Sequence, residues 1–154
     1  MVESFVRRDE LHAALAGELA GVWALEALRV AAGRPRFGRE TDHRTIPHEV
    51  GWIPSAVHLD KGCYRGQETV ARVQNLGRPP RRLVLLHLDG SDSELPAHDD
   101  PVLLEGRAVG RVTTAARHYE LGPIALAVVK RSTPAHADLV AGGVAAAQEV
   151  LVPA

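Results

Sequence analysis

Cys63 is the only cysteine of the 154-residue chain, and it stands in the stretch Lys61-Gly62-Cys63-Tyr64-Arg65-Gly66-Gln67-Glu68. These residue types suit chemistry better than they suit a helix or a strand. Two glycines bracket the thiol, and glycine permits torsions and close approaches that other residues forbid. A helix opening near Gly66 would leave Cys63 at or just before its amino terminus. Free N–H groups and the helix dipole there favour a thiolate, and Lys61 and Arg65 add positive charge. The competing reading is a buried, inert cysteine. In the first helical turn Glu68 gains from the dipole, while Gln67 could present its amide to a heterocycle or simply be solvated.

Other charged groups point to binding rather than bond-making. Residues 61–82 hold Lys61, Arg65, Arg72, Arg78, Arg81 and Arg82 against Glu68 alone, a basic strip able to attract an anionic ligand or nucleic acid, or else a solvated face. Arg29 and Arg72 lie on expected helices. Either is an ion-pair partner, Arg29 with Glu26 three residues away, or a bidentate grip on a ligand carboxylate. The eight histidines show no i,i+4 pair and no His-Glu-x-x-His pattern, so no metal site is assigned. His43, His48 and His58 share one irregular stretch but read as surface histidines. Ser55, His58 and Asp60 have the residue types of a hydrolase triad without its Gly-x-Ser-x-Gly elbow. Walker and dinucleotide glycine motifs are absent from the sequence.

The elements that must position these groups fall into two halves. Leu11, Leu15 and Leu19, four apart behind Asp9, predict a helix over 9–20. A second helix is expected from Val22 to Ala32, apolar on two flanks and stopped by Gly33 and Pro35. Residues 33–60 are rich in Gly, Pro, Arg and His and read as irregular, either a functional loop or an arm that packs on a neighbour. Val70, Val73 and Leu76 predict a third helix from near Gly66 to Leu76, with Glu68 and Arg72 placed for an i,i+4 pair. Pro79 and Pro80 then mark a candidate domain boundary. Beyond it come expected strands at Arg82–Leu88, Val102–Leu104, Ala108–Thr113 and Ile124–Val129, with Glu105-Gly106-Arg107 as a hairpin turn. Glu149–Val152 is the expected last strand, and the Ala- and Gly-rich 141–147 reads as a loop. The fold class is α+β: a helical and irregular segment at 1–79, then a small antiparallel barrel or sandwich at 80–154.

Composition narrows the setting. Hydrophobic residues make up 45%, enough for a packed core, but aromatics only 4%, so Leu, Val and Ala must fill it. Residues 1–88 carry 13 Lys/Arg and 10 Asp/Glu, and residues 89–154 carry 5 and 9, so the charge is polarised along the chain. One cysteine excludes an intrachain disulfide, which suits a reducing cytosol. One cysteine also cannot hold an iron–sulfur cluster alone, since such clusters take four thiolates. The start of the chain lacks the apolar stretch of a signal peptide, and no apolar run approaches the ~20 residues that span a bilayer. A cytoplasmic protein is expected. Direct nucleic-acid binding is disfavoured, because Tyr64 is the only aromatic near the basic strip on which a base could stack.

The octapeptide Lys61–Glu68 and its continuation Thr69-Val70-Ala71-Arg72 resemble the signature of YgfZ-type folate-binding proteins, relatives of the glycine-cleavage T-protein. Leu28-Arg29-Val30-Ala31-Ala32-Gly33-Arg34-Pro35 is similar to the segment before that signature. Val109-Gly110-Arg111-Val112-Thr113 and Gly122-Pro123-Ile124-Ala125-Leu126 resemble the terminal barrel of the T-protein superfamily. The resemblance runs from about Ala20 to Val152. It implies a partial T-protein-like folate-binding domain at 1–79 and a carboxy-terminal β-barrel domain at 80–154. It also implies a tetrahydrofolate cavity, with Cys63 as the functional thiol and Lys61, Tyr64, Gly66, Gln67, Glu68, Arg29 and Arg72 as cofactor-binding candidates. The implied role is a non-enzymatic or weakly catalytic accessory to iron–sulfur enzymes, among them those that thiomethylate tRNA. The alternative is an aminomethyltransferase of one-carbon metabolism. T-proteins resemble Arg-x-Glu-Ala-Gly where this chain has Ala31 in place of the acid, and relatives begin with a further lobe. This chain is therefore expected to be a partial protein that could pair with a second copy through uncovered apolar faces.

Overall fold

The computed structural model describes residues 5–15, 17, 19–91 and 94–152. Six strands close an antiparallel barrel: β1 (Arg81–Leu88), β2 (Pro101–Leu104), β3 (Arg107–His118), β4 (Gly122–Lys130), β5 (Leu139–Ala141) and β6 (Val144–Val150). Their order round the barrel is β1-β4-β3-β2-β5-β6, which closes through the β1–β6 pair. Closure removes free edges, so every strand finds two partners. The choice between barrel and sandwich is thereby resolved.

Alternation along the strands fills the barrel. Val84, Leu86 and Leu88 of β1 and Ala125, Ala127 and Val129 of β4 point inward, joined by Val102, Val112, Leu139, Ala141, Val144 and Ala146. Most of these are small, as a narrow barrel without aromatics requires. The outward residues of the same two strands, Leu83, Leu85, Ile124, Leu126 and Val128, are buried as well. They form one buried cluster with Ala116 of β3 and with Ala27 and Val30 of α2 (Val22–Ala31), a helix that lies against β3 and β4. That second layer explains why the 124–129 run is apolar without interruption.

Tight turns account for the hairpins. Glu105 and Gly106 both have positive φ, 48° and 77°, and link Leu104 to Arg107 as a two-residue loop. Gly142 and Gly143, at 57° and 91°, do the same between Ala141 and Val144. Mirror-type turns of this kind match the twist of the strands. The segment 141–147, expected as a loop, is therefore the Gly-Gly turn of a hairpin. The last strand is Val144–Val150 rather than Glu149–Val152. Three consecutive alanines there carry too weak a strand signal to be read from sequence. Leu151 and Val152 pack instead beside α2.

The helix expected over 9–20 is largely absent. A 3-10 turn at Arg8–Glu10 runs into a single turn, α1 (Leu11–Ala14), and Leu15 is already extended; residues 16 and 18 lie outside the described residues. Leu11, Leu15 and Leu19 are all exposed. Their stripe has nothing to pack on, and short isolated helices are marginal in water. The second helix ends at Ala31, with Gly33 at φ 60°. Its neighbour is close, because a Cβ on Gly33 would lie 2.8 Å from a methyl of Leu151. Within the irregular arm lie a 3-10 turn at Pro47–Val50 and a short helix, α3 (Ile53–Ala56). The third expected helix is α4 (Gln67–Leu76), with Val70 as its buried residue. No helix among the described residues is long and apolar enough to cross a membrane.

Candidate functional site

The octapeptide forms an exposed turn leading into α4. Gly66 is the N-cap at φ 83°, a left-handed conformation that glycine adopts without strain. The N–H of Gln67 reaches back to the Tyr64 carbonyl at 3.2 Å. Cys63 stands three residues ahead of that cap and is exposed. Lys61 Nζ lies 5.5 Å from the centre of the Tyr64 ring, within cation–π range. Gln67 is half-buried, whereas Glu68 and Arg72 are exposed, and no ion pair joins those two. The thiol is thus exposed rather than buried.

Arg29 lies elsewhere and is committed to the fold. It is buried on α2, and its guanidinium donates to Glu26 at 3.0 Å, Glu40 at 3.1 Å, the Arg34 carbonyl at 2.7 Å and Thr114 at 3.0 Å. The structural member of the two readings for Arg29, the ion pair with Glu26, is present. Glu40 itself has no exposed surface. It accepts from Arg29, from the Arg36 N–H at 2.7 Å and from Thr114 at 2.6 Å. Thr113 Oγ1 stands 3.1 Å from Glu40 and 3.0 Å from the Leu126 carbonyl, so its one hydrogen serves either. A β-bulge in β3 between Val112 and Thr114 makes this possible. The extra residue brings two consecutive threonine hydroxyls to one carboxylate.

A second clasp joins the arm to β1. Arg81 meets Glu49, which is fully buried, at 2.9 Å and Asp42 at 3.0 Å. The hydrogen bond from Arg81 holds the Asp42 carboxyl well below the usual carboxylate range against the opposing effect of burial. Glu49 and Asp42 in turn raise the pKa of Arg81. Arg82 is also buried and donates to the Thr133 carbonyl at 2.7 Å. Two of the six cations of the basic strip are therefore structural. Lys61, Arg65, Arg72 and Arg78 remain exposed. Glu40 and Glu49 were missed in the sequence. The only signal for them was a carboxylate repeatedly placed in an arm of otherwise basic character.

An open cavity of ≈ 710 Å³ lies beside the first turns of α2. Its walls are the first turn of α2, the arm at Arg36 and Arg39, the segment Leu95–His98 and the Thr113–Arg117 stretch of β3. None of Lys61–Glu68 lines it. The hollow expected beside Cys63 is thus not where this cavity sits. His48 pairs with Gln74 and His58 with the Asp60 N–H, so the arm histidines do not converge. No group of three metal-ligating side chains occurs among the described residues.

Comparison with known proteins places these features. Residues 81–153, which contain the whole barrel, match the family model of the glycine cleavage T-protein C-terminal barrel domain. An aminomethyltransferase of Rippkaea orientalis is 37% identical over 116 residues, 73% of this chain and 30% of that protein. One of Moorella thermoacetica is 35% identical over 115 residues, 74% of this chain and 30% of its own. The chain therefore spans less than a third of the length of these relatives. A solved aminomethyltransferase of the glycine cleavage system from Bartonella henselae superposes with a TM-score of 0.63 at 22% identity, over 82% of this chain and 37% of that one, a likeness of fold.

Proposed function

We propose that this chain, whose barrel and relatives support the glycine-cleavage T-protein superfamily, belongs to a tetrahydrofolate-dependent protein of one-carbon metabolism. The observation that carries this reading is the closed six-stranded barrel that matches the T-protein terminal domain, within a likeness to an aminomethyltransferase that runs over 116 residues, more than the barrel alone. The names of those relatives favour aminomethyl transfer, in which folate accepts a one-carbon unit and a carrier-bound aminomethyl group releases ammonia. In that reading the barrel half, from residue 80, is one domain, and 1–79 belongs to the folate-binding part.

A second reading rests on the octapeptide and on Ala31. The exposed Cys63 with Lys61 and Tyr64 against each other suits a thiol presented to another protein. Ala31, in the last turn of α2, packs towards the barrel and offers no acid to a pterin. These favour a YgfZ-type accessory protein that binds folate and serves iron–sulfur enzymes, including tRNA-thiomethylating ones, in the cytosol. Lys61, Tyr64, Gly66, Gln67, Glu68 and Arg72 then border the folate or the client.

Tetrahydrofolate titrated into the full-length protein tests both. Binding with ammonia release from an aminomethyl carrier supports the transferase. Binding without turnover, together with loss of iron–sulfur enzyme activity in cells carrying Cys63→Ser, supports the accessory role. Absence of folate binding overturns the proposal in both forms.

A further inference from the structure

We propose that the cavity between the first turn of α2, Arg36–Arg39 and the outer face of β3 is a binding site for a small aromatic carboxylate, separate from the Lys61–Glu68 turn. The charge balance of its walls points to an anion. Arg36 and Arg39 line it with one carboxylate, Glu26, among the wall residues. Glu26 is already held by Arg29 at 3.0 Å and by Arg36 at 2.7 Å. The Arg39 guanidinium is exposed, and no hydrogen bond or ion pair of its side chain occurs among the described residues. A guanidinium with all its donors open is the side chain best suited to a bidentate carboxylate.

Helix α2 reinforces this sign. Its N-cap, Gly21, supplies no side-chain acceptor to the first turn, and Val22, Trp23 and Ala24 are cavity-lining residues. The N–H groups of Val22 and Trp23 have no carbonyl four residues back within the helix, and the dipole places partial positive charge there. The remaining walls specify the body of the ligand. Trp23 is 87% exposed, and Leu95, Pro96, Ala115 and Ala116 provide apolar surface. An indole standing in solvent beside small apolar residues offers one face for a flat ring to stack on. The volume lies in the range of small-molecule sites, which combine apolar walls with few polar anchors. His98 Nδ1–H donates to the Thr113 carbonyl at 2.6 Å, and Nε2 lies 3.5 Å from the Asp99 carboxylate, which together fix the ring. This inference does not rest on the folate reading, since no residue of the octapeptide takes part.

The test uses the full chain and 1-naphthoate as probe, with 1-naphthalenemethanol as its uncharged counterpart, followed by ¹⁵N-resolved NMR. Saturable shifts are expected at the Trp23 indole and at residues 36–39 and 113–117, and the alcohol should bind at least about tenfold more weakly. Arg39→Glu and Trp23→Ala should each weaken naphthoate by about tenfold or more while leaving the dispersion of the remaining spectrum intact. Arg78→Glu makes the same change in net charge outside the cavity and should leave affinity within about twofold. The proposal is overturned if naphthoate fails to shift these residues, if the alcohol binds as tightly, or if Arg39→Glu and Arg78→Glu behave alike.

Discussion

Glu40 shows how a single buried carboxylate can organise three parts of the chain. It draws Arg29 of α2, the Arg36 backbone of the arm and Thr114 of β3 to one point. Removing one partner of a buried ion pair costs about 3–5 kcal/mol, because the other charge is left uncompensated. Arg29→Ala should therefore lower unfolding stability by about that much in urea titrations at neutral pH, whereas Arg72→Ala, at an exposed position, should change it by less than about 0.5 kcal/mol. Equal effects would show that Arg29 is not a fold-bearing residue. Asp42 makes a prediction about acid. Its folded-state pKa lies below that of an unfolded aspartate, about 3.9. Its contribution is then complete above that value and lost as the pH falls through the folded one. Asp42 and Arg81 are both partly exposed, so up to about 1 kcal/mol is at stake. The stability difference between wild type and Asp42→Asn should be constant from pH 7 to 5 and shrink below about pH 4. A difference that grows on acidification would reverse the sign assigned here. At this scale the sequence was half legible. Glu26 and Arg29 stand one helical turn apart and declared their pairing. Glu40 and Glu49 reach partners whose closeness depends on the barrel being closed, and no local spacing announces that.

Strands were read well where side chains differ in size and badly where they do not. β1 and β4, dense in Leu, Val and Ile, were legible almost to their ends. β6, with three alanines in a row, was not, although its Gly142-Gly143 turn is as strong a hairpin signal as any in the chain. β3 extends five residues past its expected end, through Thr114–His118, because pairing with β4 rather than its own pattern sustains it. Packing between those two strands sets a sharp constraint at Gly110. A Cβ there would come within 2.4 Å of the Val128 carbonyl oxygen and 2.8 Å of the Val129 Cα. Backbone atoms cannot step aside as a flexible side chain can. Overpacking of this kind costs about 1–3 kcal/mol, so Gly110→Ala should destabilise by at least about 1 kcal/mol and lower the melting temperature measured by circular dichroism. The same substitution at Gly62, where nothing lies within 4 Å, provides the comparison and should leave the melting temperature nearly unchanged. Indistinguishable melts for the two variants would mean that β3 and β4 do not approach as closely as described.

The whole molecule is held together across the point, Pro79–Pro80, that divides it by sequence pattern. Helix α2 packs on the outside of β3 and β4, Glu40 and Glu49 tie the arm to β3 and β1, and Leu151 closes against Gly33. The amphipathic pattern of α2 predicted burial on more than one side but could not say that the second surface is the outside of a barrel formed fifty and more residues later. Each large apolar side chain returned to water costs about 1.5–3 kcal/mol, and the buried cluster that Ala27 and Val30 of α2 join holds five on the barrel, so separating the halves is unfavourable relative to unfolding both. The chain should then unfold in one cooperative step. Both tryptophans, Trp23 and Trp52, precede residue 80, whereas every strand follows it. Trp23 is exposed in the folded state, so the fluorescence change on unfolding reports chiefly on the half-buried Trp52 in the arm. The far-ultraviolet signal of the β-structure reports on the barrel. In guanidinium titrations the two transitions should share one midpoint, and Val30→Asp, which places a charge at the fully buried centre of the α2–barrel contact, should move both together to lower denaturant. A fluorescence transition that comes earlier than the β transition in the wild type, or a Val30→Asp variant that shifts one and spares the other, would mean that the arm and α2 rest on a barrel able to stand without them.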